Sequence, residues 1–93
     1  GASDAIEHIV VEESAKCLVL RMRAVPALDS TAMNALTALT KTCESKGVTI
    51  VFSHVNEQPM KVMKKAGFVA LAGEENFCPN ITAALERAEE IIK

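Results

Sequence analysis

Two short apolar runs, Cys17-Leu-Val-Leu-Arg-Met22 and Val48-Thr-Ile-Val-Phe-Ser53, constrain this chain's fold more than any other feature. Both are too short for core helices, and neither alternates apolar with polar as a strand with one wet face would. Aliphatic and β-branched runs of this kind are the signature of strands buried on both faces, which belong to parallel sheets covered by helices. A parallel pair cannot be joined by a hairpin, so the segment between the runs must cross over, usually as a helix. The intervening sequence has that pattern. Met33, Leu36, Leu39, Thr40 and Cys43 share one stripe, Lys41, Glu44 and Lys46 lie off it, and Gly47 ends it. The spacing predicts a helix from about Ser30 to Ser45.

The remaining elements follow by the same reasoning. Ser3-Asp4 is a plausible cap for a helix from Ser3 to about Glu12, with Ile6, Ile9 and Val10 at helical spacing and Glu7, Glu12 and Glu13 towards water. In this reading His8 is a surface or half-buried helix residue. Val25-Pro26-Ala27-Leu28 must be extended or turn, since Pro fixes its own φ and restricts its predecessor. Asn56 offers a second cap and Pro59 suits a first turn. Met60, Val62, Met63 and Ala66 continue that helix to a stop at Gly67. Phe68-Val-Ala-Leu71 reads as a short last strand and Ala70 to Asn80 as an extended surface connection. Pro79-Asn80 opens a final helix whose apolar face is Ile81, Ala84, Leu85, Ala88 and Ile92. Met33, Met60 and Met63 are read as core. Helices alternating with strands over short connections predict an α/β fold: a small, mostly parallel sheet with right-handed crossovers, flanked by helices.

Ninety-three residues make one domain, here 1–93, able to bury roughly 60 to 65% of its unfolded surface without metal or disulfide staples. Ten basic against twelve acidic residues leave a formal charge of -2, and the aromatics are three Phe. There is no basic field and no stacking platform, so nucleic acid is excluded as a partner. Cys17, Cys43 and Cys78 are odd in number and far apart, which reads as reduced, mostly buried thiols in a reducing compartment. No Cys/His set has metal-ligand spacing and no Gly-rich phosphate loop is present, so no cofactor is expected. No apolar run approaches the roughly 20 residues that span a bilayer, so direct membrane insertion by this stretch is not expected. The opening Gly1-Ala2-Ser3, without Met, suggests a piece of a longer product.

Function is expected where strands end and helices begin, because ligands of α/β sheets gather at that edge. Asp29, Ser30 and Thr31 fall there after the first apolar run, and His54 and Asn56 after the second. Asp29 or Ser30 serves at least as an N-cap. A hydroxyl at a helix N-terminus also sits in a field that favours negative charge, so a phosphate there is compatible with the helix. A nucleophilic Ser30 with His54 as base and Asp29 as orienting acid is the enzymatic alternative. It lacks any Gly-x-Ser-x-Gly elbow.

The order of apolar strand, "VPALDSTAMNAL", long helix, "GVTIVFSHV", helix ending "KKAGF", and then "GEENFCPNITAAL" resembles the STAS domain (sulfate transporter and anti-sigma factor antagonist) across nearly the whole chain. Asp29 to Met33 is similar to the family's Asp-Ser-Ser/Thr-Gly-Leu signature. The resemblance implies that Thr31 is the hydroxyl phosphorylated in stand-alone antagonists, with Asp29 and Ser30 beside it. Gly73 to Asn80 looks like the segment ahead of the last helix in the cytoplasmic STAS domains of SulP-type anion transporters. The resemblance therefore implies a non-catalytic regulatory and protein-interaction module on the cytoplasmic side of a sulfate, bicarbonate or dicarboxylate carrier. Its partners would be the carrier's own membrane part and a cytosolic regulatory protein. The alternative is a soluble anti-sigma factor antagonist switched by Ser/Thr phosphorylation.

Two departures from the family stand out. Ala32 replaces the signature's Gly, adding a methyl at the loop-helix edge. The family's two strands ahead of the first helix are also not apparent, since the chain is read as opening on a helix. Their absence would expose an apolar edge and face, from which a homo-oligomer is expected.

Overall fold

The computed structural model describes the backbone of residues 7–11 and the whole of residues 16–92. Its order is β1 (Glu7–Val11), β2 (Cys17–Arg21), α1 (Ser30–Ser45), β3 (Thr49–Ser53), α2 (Glu57–Lys65), α3 (Phe68–Ala72), a 3-10 turn (Glu74–Asn76), β4 (Phe77–Cys78) and α4 (Ile81–Ile92). The four strands form one sheet in sequence order. β1 is antiparallel to β2, while β2, β3 and β4 are mutually parallel.

The two apolar runs are the inner strands, and their alternation divides the core. Leu20, Ile50 and Phe52 face one side, where Met33 and Leu36 of α1, Met63 of α2 and Phe68 of α3 close over them. Cys17, Val19 and Val51 face the other side, covered by α4 through Ala84 and Ala88. Two alanines four residues apart lie on one face of α4 and let its backbone approach the sheet closely. Phe52, fully buried, stacks on Phe77 of β4 at 4.7 Å between ring centroids and meets Phe68 edge-on at 5.5 Å. That aromatic set joins β3, β4 and α3 into one side of the core.

Three expectations are corrected. The segment read as a helix from Ser3 to about Glu12 contains β1, whose register runs from Glu7 opposite Arg21 to Val11 opposite Cys17. Ser3 to Ile6 and Glu12 lie outside the described residues, so the Ser3-Asp4 cap does too. Ile9, Val10 and Val11 are successive β-branched residues, and pairing with β2 outweighs a helical spacing carried by three positions. β1 and β2 thus lie ahead of α1, where the sequence was read as opening on a helix.

The second correction is Phe68 to Leu71, which is helix α3 and not a strand. Gly67, at φ +75°, ends α2 and restarts the chain. Leu71 N then donates to Gly67 O and Gly73 N to Val69 O, the spacing of a helical turn. A four-residue apolar run has no period long enough to tell the two structures apart. The last strand is instead Phe77–Cys78, and this is the third correction: Ala70 to Asn80 is not an extended connection. It holds the end of α3, the 3-10 turn and β4, clipped by a buried Asn76. Its Nδ2 donates to Ala72 O at 2.8 Å and its Oδ1 accepts from Arg87 Nε of α4 at 3.0 Å.

Candidate functional site

The residues marked in the sequence lie where β2 and β3 end. The ladder between these strands runs one step past β2, with Met22 N donating to Ser53 O at 2.9 Å, and the chain then turns through Val25 N to Met22 O. Asp29 follows as the N-cap of α1, extended at φ -96° and ψ 177°. Its Oδ1 accepts from Ala32 N at 2.8 Å. Ser30 and Thr31 open the helix, both exposed. Ala32, at the position of the signature Gly, packs against the larger core cluster. The cap bond from Ala32 N to Asp29 is made with that methyl in place.

At the end of β3, His54 takes a left-handed backbone at φ +53°, among the described residues the one non-glycine to do so. That conformation costs roughly 1–2 kcal/mol for a residue with a Cβ. It is held by His54 N donating to Cys78 O at 2.9 Å. His54, Val55, Met60, Phe77, Cys78 and Pro79 line an open cleft of about 330 Å³. Burial pushes the Cys78 thiol above its ordinary range, Arg87 opposes this and Glu90 adds to it, so the thiol is protonated at neutral pH. Met60 is a half-buried wall of this cleft, whereas Met33 and Met63 are buried in the core as the spacing predicts.

Asn56 occupies the N-cap position of α2 but makes no cap bond. Its Nδ2 instead donates to Arg23 O at 3.0 Å and Val25 O at 2.8 Å. Two residues on, Gln58 accepts from Leu28 N through Oε1 at 2.8 Å and donates to Leu28 O through Nε2 at 3.3 Å. A second open cleft, about 600 Å³, is lined there by Pro26, Asn56, Glu57, Gln58 and Lys61.

The structure therefore brings Asn56 to the loop that leads into Asp29, Ser30 and Thr31. His54 lies on the cleft shared with β4. Among the described residues no hydrogen bond links Ser30 or Thr31 to His54 or to any other side chain. Nor does any group of three or more His, Cys, Asp or Glu there have the arrangement of a metal site. Gln58 was not singled out in the sequence. Its one signal is its place in the first turn after an Asn-Glu start, which fits a solvated helix residue equally well.

No described helix is long and apolar enough to cross a membrane. The sequence model of the STAS domain matches residues 2–84. Among solved structures, a sulfate transporter family protein from Wolinella succinogenes superposes with a TM-score of 0.81 at 35% identity, covering 89% of this chain and 68% of that one. The STAS domain of a SulP transporter from Vibrio cholerae superposes with a TM-score of 0.79 at 30% identity, covering 88% of this chain and 64% of that one. The chain thus spans about two thirds of the length of these neighbours. No curated protein matches it.

Proposed function

The chain belongs to the STAS domain family, and from that premise we propose that it is the cytoplasmic regulatory domain of a SulP-type anion transporter. The observation that carries this reading is the agreement in fold and sequence with two transporter-associated neighbours over nearly nine tenths of the chain. The domain works in this reading as a non-catalytic interaction module, with residues 1–93 forming a single STAS unit. Its working edge is Asp29, Ser30 and Thr31 together with His54 and Asn56. It faces the carrier's membrane part or a cytosolic regulatory protein. Among the described residues the exposed hydroxyls of Ser30 and Thr31 make no hydrogen bond, so a phosphate on Thr31 would change the charge of that edge by about -1.5 to -2 while breaking none there. The transported anion is a sulfate, bicarbonate or dicarboxylate.

The test is to locate the chain in cells of its source with an antibody raised against residues 16–92. The reading predicts a band much larger than 10.0 kDa in a membrane fraction that resists alkaline carbonate. A 10.0 kDa band in the soluble fraction contradicts it. That outcome points to the free antagonist, whose Thr31 should then carry stoichiometric phosphate.

A further inference from the structure

The side chains of Asn56 and Gln58 behave differently from those of ordinary helix-start residues. An Asn at the N-cap usually accepts a hydrogen bond from an amide of its own first turn, a contact worth about 1 kcal/mol. Asn56 leaves that bond unmade and turns its amide to two main-chain carbonyls, those of Arg23 and Val25. Gln58 pairs its carboxamide with both main-chain groups of Leu28, as a neighbouring strand would. Leu28 is buried in the core and directly precedes the cap residue Asp29. Four hydrogen bonds from the first turn of α2 thus hold the 23–28 loop on both sides of Pro26. Each spans 30 or more residues of sequence. A local rule broken in favour of a distant contact is expected where a site is being positioned.

We propose that Gln58 and Asn56 are positioning residues that make the first turn of α2 and the 23–28 loop one rigid body, and through it fix where Asp29, Ser30 and Thr31 stand. A change at the α1 edge is then carried to α2, and whatever reads Ser30 or Thr31 meets the α2 turn as part of the same surface. The inference rests on the reading of that edge as the working surface.

The experiment is amide hydrogen exchange of the 93-residue chain by NMR, comparing wild type, Gln58→Met and Gln58→Glu at pH 7 and pH 4. Gln58→Met keeps the length and removes both bonds. Protection of the Leu28 amide should fall about fivefold at either pH, as expected for one lost net hydrogen bond, with that of Ala32, whose amide Asp29 caps, following. In Gln58→Glu the carboxylate still accepts from Leu28 N but sets a second acceptor against Leu28 O. Near the ordinary Glu value of about 4.3 the protonated carboxyl regains a donor. Its protection, taken relative to wild type at the same pH, should therefore recover at pH 4, which a residue that merely fills space would not show.

A third measurement tests the transmission directly. Thr31→Glu should shift the side-chain amide resonances of Gln58 in the wild-type background and leave the α2 amides unmoved when combined with Gln58→Met. Unchanged Leu28 protection in Gln58→Met, no recovery of Gln58→Glu at pH 4, or no shift at Gln58 would each overturn the proposal. All three are read in the chain alone, so the location of the protein in the cell can fail or hold independently of them.

Discussion

Replacing Asp29 tests whether the signature acid acts as a helix cap or as a charge. In the structure its Oδ1 accepts from Ala32 N at 2.8 Å, on an exposed surface, and α1 has no other acidic residue in its first turn. Asp29→Ala removes both the acceptor and the charge. The lost cap is worth about 1 kcal/mol, and the lost charge at the positive end of the helix dipole a further 0.3–1 kcal/mol at low salt. Asp29→Asn keeps an acceptor and loses only the charge. Urea denaturation at low salt should therefore show Asp29→Ala less stable than wild type by about 1.5 kcal/mol and Asp29→Asn by about 0.5 kcal/mol. In 0.5 M salt the Asn variant should return to wild type while the Ala variant stays about 1 kcal/mol below it. For a domain of this size that residue is a shift of roughly 4–8 °C in Tm. Equal losses for the two variants at high salt would refute the capping argument, because the acceptor would then contribute nothing.

Phe52→Ala should cost about 3–5 kcal/mol in the same assay, since it empties a fully buried ring site and breaks two aromatic contacts. A loss under about 1.5 kcal/mol would mean that β4 and α3 are not packed on β3 as described. Thr40, 7% exposed on α1, buries a hydroxyl with no partner among the described residues. Thr40→Val should raise stability by about 1 kcal/mol by removing that unsatisfied group, and a loss would show that the hydroxyl is bonded in solution. Burial holds the Cys17 thiol above its ordinary value of 9.0, with Arg87 opposing. A raised native pKa leaves stability intact below the unfolded value and removes it as pH climbs, so unfolding free energy should decline from about pH 9 upward. Cys17→Ala, less stable at neutral pH, should decline less steeply over that range.

The inner strands, the long helix and the last helix were legible because each is long or regular enough for its period to be read. "CLVLRM" and "VTIVFS" could be little else beside a 16-residue amphipathic pattern. The failures sit where a few apolar residues fit either period. Ile9 to Val11 became a strand because β2 offered an antiparallel partner. Phe68 to Leu71 became a helical turn because Phe77 had taken the place beside Phe52. The edge holding Asp29, Ser30 and Thr31 could be placed from capping rules alone. The clamp of Gln58 on Leu28 could not, since a glutamine carries no mark of a main-chain partner 30 residues away. Asn76, within a segment read in the sequence as an extended connection, turned out to tie α3 to α4 through Arg87.

The measurement that tests the central claim most directly is anion uptake by cells expressing the anion carrier proposed to contain this domain, with labelled sulfate, bicarbonate and a dicarboxylate offered in turn. Wild type would be compared with Thr31→Glu and with Glu89→Gln on the far helix α4. If the α1 edge regulates transport, Thr31→Glu changes uptake of one of these anions by about fivefold or more at equal surface abundance, and Glu89→Gln leaves it unchanged. Identical uptake in all three proteins would contradict the assignment of a regulatory surface to Asp29, Ser30 and Thr31.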